Sequence, residues 1–250
     1  MGKENVKLSL KRLEPVLDPD DPWFDDKLER RVYAPVLTSL VGDSHEPLVV
    51  ALNGGWGTGK TFFLQRWGRG FEEPVPGKVS GRVIYFSAWQ DDDIDDPLLA
   101  IVGQLHRNLH AQPLKVDENV KVSVDTKAAQ FLQTANRVLS NLGKFADSFT
   151  EHWTGVKPVE VLKDFSNRMA QRVDMYSEGI EARVDLKKRL RDLANEIYME
   201  SGKPLVFVID DLDRCKPSFA IATLERIKHL FDVQHIVFIL GIDLQQFGKT

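Results

Sequence analysis

Four short apolar runs stand out from an otherwise mixed sequence, at residues 48–52, 82–88, 205–209 and 236–240. The runs are rich in β-branched and aromatic residues, which is typical of strands that are buried on both faces. Stretches with helical spacing separate the runs from one another. The pattern therefore predicts an α/β fold, in which helices cover both faces of a parallel sheet.

Two regions outside these runs carry apolar residues at helical spacing. From residue 25 onwards the positions are Leu28, Val32, Val36, Leu37 and Leu40. They predict an amphipathic helix that Pro35 would end or kink. A second region has no strand pattern, and its apolar residues are Leu132, Ala135, Leu139, Leu142, Ala146, Phe149, Trp153, Ile180, Val184, Leu190, Leu193 and Ile197. We expect a helical insertion there, over about 112–200, which packs on the core or contacts a partner or a membrane surface.

Composition narrows the class of protein. The 250 residues are 42% hydrophobic, which is enough to bury one substantial core. A formal net charge of −4 argues against a surface that binds nucleic acid over its whole extent. A single cysteine, Cys215, excludes an intramolecular disulfide, and no apolar leader follows Met1, so we expect a cytoplasmic protein. No apolar run approaches the roughly 20 residues that a membrane-spanning helix needs.

The first apolar run leads directly into a glycine-rich loop and then into a stretch with helical character. The loop consists of Gly54, Gly55, Trp56, Gly57, Thr58, Gly59, Lys60 and Thr61. In such a loop the backbone N–H groups surround a triphosphate, the lysine reaches its β- and γ-phosphates, and the hydroxyl ligates Mg²⁺. We therefore predict that residues 54–61 bind ATP, that Lys60 also takes part in catalysis, and that Thr61 is a ligand of Mg²⁺.

The third apolar run ends in two adjacent carboxylates, Asp210 and Asp211. Because ligands of parallel sheets lie beyond the carboxyl ends of the strands, both carboxylates are expected beside the glycine loop. We predict that Asp210 holds the Mg²⁺ shell and that Asp211 is the base that deprotonates the attacking water. Alternatively, Asp211 caps the following turn or pairs with Arg214. Arg214 has its own alternative role, as an arginine finger against the γ-phosphate of a neighbouring molecule.

Three other features carry less specific signals. Asp243 follows the fourth run and is predicted to act in catalysis as a sensor of the γ-phosphate, with a helix cap as the alternative. The acidic stretch 91–96 is expected to be a solvated loop that begins a helix, with a cation site as the alternative. His106 and His110 share a helix face, but no third metal ligand accompanies them in the sequence.

Together these motifs resemble the KAP family of P-loop NTPases. The resemblance is carried by Asp26, Lys27, Leu28 and Arg30, by 55–61, by Phe86, Ser87, Ala88 and Trp89, and by 209–215 with Pro217. It implies an ATP-binding domain of the additional-strand type, in which the Walker B strand is not adjacent to the P-loop strand. It also implies regulatory or assembly roles, often at membranes, including bacterial defence against phage or plasmids.

The resemblance also sets expectations for domain organisation. We expect an N-terminal extension over 1–24 and a KAP-like domain over 25–250. That domain is expected to be incomplete, because such domains continue with another strand and a helical lid. Many relatives carry transmembrane helices between the two Walker motifs. In this sequence the interval holds only the helical insertion, so we expect no transmembrane span, although peripheral membrane contact remains compatible with the sequence.

The predicted function is therefore Mg²⁺-dependent ATP hydrolysis by a regulatory or assembly motor or switch. The alternative is an ATP-dependent scaffold or signalling switch with little turnover. A protein partner or self-association is expected through the insertion or the missing C-terminal region, and nucleic acid is not an expected partner. ATP is favoured over GTP because the sequence lacks the Asn-Lys-x-Asp motif that reads guanine.

Overall fold

The computed structural model of the chain contains a four-stranded parallel sheet. It describes residues 18, 21–42, 44, 46–74, 76, 78, 80–94, 96–111, 123–135, 138, 181, 183–228 and 232–247. The strands are β1 (Leu48–Asn53), β2 (Arg82–Ser87), β3 (Leu205–Asp210) and β4 (Ile236–Ile242). Each begins where an apolar run of the sequence begins, and the predicted α/β fold is confirmed.

The order of the strands decides which chain segments meet at the carboxyl edge of the sheet. The spatial order is β1-β4-β3-β2, with every neighbouring pair parallel. The strand that ends in Asp210 is thus separated from the strand before the glycine loop by β4. This arrangement confirms the additional-strand type that the resemblance implied.

Helices cover both faces of the sheet and bury two hydrophobic clusters. They are α1 (Ala34–Gly42), α2 (Lys60–Glu72), α3 (Pro97–Ala111), α4 (123–135), α5 (183–201), α6 (Pro217–Lys228) and α7 (Leu244–Phe247). In the smaller cluster, α1 and α2 pack on Val206, Val208, Val237 and Ile239. In the larger cluster, the four helices α3, α4, α5 and α6 pack on the opposite face of the sheet, on Phe207, Ile209, Phe238 and Leu240. The clusters take alternate residues of the central strands because successive side chains of a strand point to opposite faces.

The acidic loop before α3 has a structural role. Asp96 accepts a hydrogen bond from the Leu98 amide at 2.9 Å, and Pro97 occupies the first helical position, which suits a residue without an N–H group. Asp96 also accepts two hydrogen bonds from Arg226 of α6, at 2.9 and 3.2 Å. Asp92 accepts a hydrogen bond from the Lys216 amide. These contacts start α3 and fix it against α6, so the loop is less solvated than we expected.

The N-terminal helix differs from the prediction. A 3₁₀ turn at Arg30–Tyr33 precedes α1, so Pro35 lies in the first turn of the helix and does not end it. The predicted stripe faces away from the core: Leu28, Val32, Val36 and Leu40 are exposed, and Leu37 alone of the five is buried, together with Val41. The physical reason is that residues 21–29 form turns without a helix and Arg30–Tyr33 form a 3₁₀ turn, so the 3.6-residue repeat that the prediction assumed begins only at Ala34.

Two described helices, α4 and α5, lie in the interval predicted to hold the insertion. Leu190, Leu193 and Ile197 of α5 are buried in the larger cluster, whereas Val184 is exposed. The predicted positions Leu139, Leu142, Ala146, Phe149, Trp153 and Ile180 lie outside the described residues. The extent of the insertion therefore stays a prediction, as do the domain boundaries. Within the described ranges, no helix combines the length and apolar character that crossing a membrane requires.

A buried arginine fixes the segment before α1 to α2. The Arg66 side chain is fully buried, and its guanidinium donates to both carboxylate oxygens of Asp25 at 2.7 to 3.1 Å. The guanidinium carbon also lies 3.4 Å from the centre of the Phe62 ring. Asp26 accepts hydrogen bonds from the amides of Arg30 and Arg31, which stabilises the 3₁₀ turn. Asp25 therefore holds this segment against the helix that follows the glycine loop, whereas Asp26 stabilises the turn within the segment.

Asp25→Ala should lower the free energy of unfolding by about 2–3 kcal/mol, since it leaves the buried Arg66 guanidinium without its carboxylate. The expected loss of stability is smaller than that for breaking a fully buried ion pair, because the Asp25 side chain is 36% exposed. The control is Arg31→Ala, which removes a 4.0 Å ion pair with Asp21 between exposed side chains and should cost less than about 0.5 kcal/mol. Urea denaturation measures both, and equal losses would contradict the predicted role of Asp25.

Candidate functional site

The glycine loop between β1 and α2 adopts a backbone that requires glycine at two positions. Gly57 and Gly59 have φ angles of 77° and 88°, in the left-handed region that side chains disfavour. The loop is also crowded, because a Cβ on Gly54 would lie 2.9 Å from Thr58 Oγ1. The loop therefore turns through two positions that favour glycine and leaves no room for a side chain at Gly54, which is typical of loops that cradle a phosphate.

Lys60 begins α2 and folds back over the loop. Its ammonium donates to the carbonyl oxygens of Gly54 at 2.5 Å and Gly55 at 3.3 Å. Gly59, the residue before the helix, supplies no side-chain cap to the first turn. The ammonium and the positive end of the helix dipole consequently lie together, and both favour an anion.

Asp210 at the end of β3 meets the first turn of α2. Its side chain is fully buried, and its Oδ2 accepts hydrogen bonds from Thr61 Oγ1 at 2.6 Å and Tyr85 Oη at 2.5 Å. Its Oδ1 accepts the Asp211 amide at 3.0 Å. Burial first, and then the neighbouring carboxylates, raise the pKa of Tyr85 well above its ordinary value, so its hydroxyl is a donor at neutral pH. The structure thus brings the predicted cation ligands Thr61 and Asp210 into direct contact.

Gly241 of β4 provides the space for the Asp210 carboxylate. The two residues are paired in register on adjacent strands. A Cβ on Gly241 would clash with Asp210 Oδ1 and lie 2.9 Å from Leu64 Cδ1. Sequence reasoning missed this residue, although a glycine near the end of a buried strand is a recognised sign of close approach by another group.

Asp211 follows with a left-handed backbone, φ 60°, which is uncommon for residues other than glycine, asparagine and aspartate. Its carboxylate lies 3.3 Å from Arg214 Nε, so the ion pair that the sequence offered as an alternative role for Asp211 is present. The left-handed backbone turns the chain sharply after β3, so that Asp211 and Arg214 lie close enough to pair.

The tip of the glycine loop is tied to the segment after β3. Trp56 Nε1 donates to Asp213 Oδ2 at 2.5 Å, and the Arg214 guanidinium lies 5.4 Å from the centre of the Trp56 ring. The second Asp213 oxygen is buried and has no hydrogen-bond partner among the described residues. Trp56, predicted from the sequence only as part of the loop, therefore connects that loop to the residues beside Asp211.

Asp243 lies directly after β4, and its two carboxylate oxygens have different surroundings. Its Oδ1 accepts the amides of Gln245 at 3.0 Å and Gln246 at 3.3 Å, so this oxygen caps α7. Its Oδ2 lies 4.0 Å from the position that a Cβ on Gly55 would occupy. The cap that the sequence offered as an alternative is therefore present, and the other oxygen faces the glycine loop.

A cavity of about 540 Å³ opens beside the glycine loop. Its apolar wall includes Val36, Leu37 and Leu40 of α1, and Tyr33 lines it from the 3₁₀ turn before that helix. Two of the four exposed residues of the predicted stripe, Val36 and Leu40, thus line a cavity that also reaches the glycine loop. The volume lies in the range of small-molecule sites, which are mostly apolar and carry few polar groups.

Cys215 and the remaining metal-ligand candidates contribute no separate centre. Burial first, and then Asp92, Asp211 and Asp213, raise the pKa of the Cys215 thiol to about 12, which keeps it protonated and unreactive. Across the part of the chain that the structure describes, no three His, Cys, Asp or Glu side chains group closely enough to hold a metal. A magnesium site needs no such group, because Mg²⁺ retains several waters and binds one or two protein oxygens beside phosphate.

Comparison with known families identifies the architecture. Residues 30–249 match the KAP family P-loop domain, which covers the sheet, the glycine loop and both aspartates after β3. No curated protein matches the chain.

Gly241→Ala should lower the free energy of unfolding of the protein. The added methyl must displace the Asp210 carboxylate or Leu64, a case of overpacking that costs about 1–3 kcal/mol. Urea denaturation measures the loss of stability.

A matched control is Gly103→Ala in α3, where no atom lies within 4 Å of the added methyl. This change should stabilise the protein by up to about 1 kcal/mol, because alanine favours a helix. Equal stability of the two variants would show that the space at Gly241 is not needed.

Proposed function

Because the chain belongs to the KAP family of P-loop domains, we propose that it binds ATP with Mg²⁺ at the glycine loop and hydrolyses the bound ATP. The observation that carries the proposal is the 2.6 Å hydrogen bond between Thr61 of the loop helix and Asp210 of β3. It joins the two motifs that such chemistry requires, at the carboxyl edge where parallel sheets bind ligands.

The loop would hold the phosphates. Amides of the loop after Gly54, whose own amide donates to the Ile242 carbonyl, and the positive end of α2 would donate to phosphate oxygens. The glycines leave room for that approach. The Lys60 ammonium would exchange its two loop carbonyls for phosphate oxygens, which carry more negative charge. Lys60 would thereby stabilise the charge that develops on the γ-phosphate during transfer.

Thr61 and Asp210 fit a cation site, since both offer oxygen atoms, the ligands that Mg²⁺ prefers. Bound Mg²⁺ would neutralise charge on the β- and γ-phosphates. Asp210 is fully buried and accepts a hydrogen bond on each of its oxygens, so its carboxylate is held in one orientation. A carboxylate that is already fixed favours cation binding, because the cation does not have to pay the entropic cost of ordering that side chain.

Hydrolysis would proceed by in-line attack of water on the γ-phosphorus. Asp211 would accept a proton from that water as the new P–O bond forms and the bond to ADP breaks. The left-handed backbone of Asp211 and its ion pair with Arg214 would hold the carboxylate in place. Asp243, whose Oδ2 faces the loop, would contact the γ-phosphate or its water.

The cavity beside α1 supports ATP as the nucleotide. It would receive the base against Val36, Leu40 and the ring of Tyr33. Guanine presents two adjacent N–H donors that need an acceptor such as a carboxylate. Among the described residues that line the cavity, none is Asp or Glu. An apolar wall without that acceptor favours adenine.

We also propose that the turnover serves a regulatory or assembly role, including defence against phage or plasmids, as the family resemblance implies. Membership of the family supports this role. The contact between Trp56 and Asp213 gives it a physical basis, because a ligand that moves the loop would also move the segment after β3. A protein partner that binds the segment after β3 would respond to such a movement.

Binding and hydrolysis are separable by two substitutions. Lys60→Ala should abolish measurable ATP binding, since it removes the cation that faces the phosphates. Asp211→Asn should retain ATP binding but lower the rate of phosphate release by about 10²-fold or more, the usual contribution of a general base. Equilibrium binding of a fluorescent ATP analogue and a phosphate-release assay measure the two effects. Unchanged turnover in Asp211→Asn would contradict its assignment as base.

Val36→Asp should weaken ATP binding about tenfold, or about 1.4 kcal/mol, by placing a charge against the base. Val36 is 69% exposed in the free protein, so the fold should tolerate the change. Val32→Asp is the matched control, because Val32 is 66% exposed but does not line the cavity. Isothermal titration with MgATP measures both, and wild-type affinity in Val36→Asp would exclude this cavity as the base site.

A further inference from the structure

Tyr85 contacts the candidate cation site from the far edge of the sheet. It lies on β2, and its register partner is Val208, two residues before Asp210 on β3. Residues two apart on a strand share a face, and diagonal neighbours on adjacent strands are within reach of an aromatic side chain. Its hydroxyl accordingly reaches Asp210 Oδ2, at 2.5 Å.

The hydrogen bonds at Asp210 suggest what this contact does. Oδ1 accepts the Asp211 amide and lies against Gly241, so the carboxylate has no space to turn on that side. Oδ2 accepts two hydroxyl protons, one from Tyr85 and one from Thr61. The Thr61 hydroxyl has a single proton, and because it is donated to Asp210, the lone pairs of Thr61 Oγ1 point away from that carboxylate. The Tyr85 hydroxyl is also a hydrogen-bonding neighbour of Thr61, so Tyr85 contacts both partners of this bond.

We propose that Tyr85 is a positioning residue for the cation site: its hydroxyl holds the Asp210 carboxylate so that Asp210 orients Thr61 to present a lone pair to Mg²⁺. The inference rests on the proposed function, since it concerns how Mg²⁺ binds in the same site. Partners of this kind, which orient a ligand without touching the metal, contribute 10–100-fold to metal affinity at well-studied sites.

The experiment compares nucleotide binding with and without the cation in the full chain. Dissociation constants of a fluorescent ATP analogue are measured in MgCl₂ and in EDTA, and their ratio gives the gain in affinity due to Mg²⁺. Tyr85→Phe keeps the ring and removes the hydroxyl. It should reduce the gain about tenfold and leave the EDTA affinity unchanged, because Lys60 and the cavity are untouched.

Tyr198→Phe is the matched control. Tyr198 belongs to α5 and its ring stacks on His235, which precedes β4 at the opposite, amino end of the sheet. Removing this hydroxyl should leave both dissociation constants at their wild-type values. A full Mg²⁺ gain in Tyr85→Phe would overturn the proposal. An equal loss of affinity in MgCl₂ and EDTA would also overturn it, because that result indicates general damage to the fold.

A double-mutant cycle with Thr61→Val gives a second test. Without the Thr61 hydroxyl there is no lone pair to orient, so adding Tyr85→Phe should cause no further loss of the Mg²⁺ gain. Additive losses would show that Tyr85 acts independently of Thr61 and would overturn the inference. If the wild-type protein bound the analogue in neither condition, the proposed function itself would fail, which is a distinct result.

Discussion

The site depends on one buried charge. Asp210 is fully buried, and a carboxylate in such a place is costly unless hydrogen bonds replace the lost water. The fold supplies them from three segments: the Thr61 hydroxyl from the helix after the glycine loop, the Tyr85 hydroxyl from β2 and the Asp211 amide. The hydrogen bonds to this carboxylate therefore hold the helix after the glycine loop, β2 and β3 together. We propose that the ATP and Mg²⁺ site is built from these elements.

Parallel pairing makes that convergence feasible. With the order β1-β4-β3-β2, the loops after all four strands emerge at the same edge. The close approach of β4 to Asp210 is then permitted by Gly241, which has no side chain to occupy the space. At the same edge, Trp56 joins the glycine loop to Asp213. A change at the loop would consequently be felt beside Asp211, a coupling suited to the regulatory role that we propose.

The segment before β1 illustrates where sequence periodicity failed. The spacing of Leu28, Val32, Val36 and Leu40 fits one continuous helix with a buried stripe, yet these four side chains are exposed. A 3₁₀ turn whose first amides bond to Asp26 takes the place of the predicted helical turn, and Asp25 is held by Arg66, which is 41 residues away in the sequence. The sequence around Asp25 contains no pattern that would predict its pairing with Arg66. Two of these side chains, Val36 and Leu40, instead line the cavity in which we place the base.

What the sequence determined by itself was local. Apolar runs marked the four strands, the glycine spacing marked the loop, and the paired aspartates marked the end of β3, because each signal resides in contiguous residues that obey backbone and burial rules. Only the tertiary structure decided which side chains meet: Tyr85 with Asp210, Trp56 with Asp213, and Gly241 beneath a carboxylate. Those contacts depend on strand order and register, and pairs of residues far apart in one sequence carry no mark of their proximity.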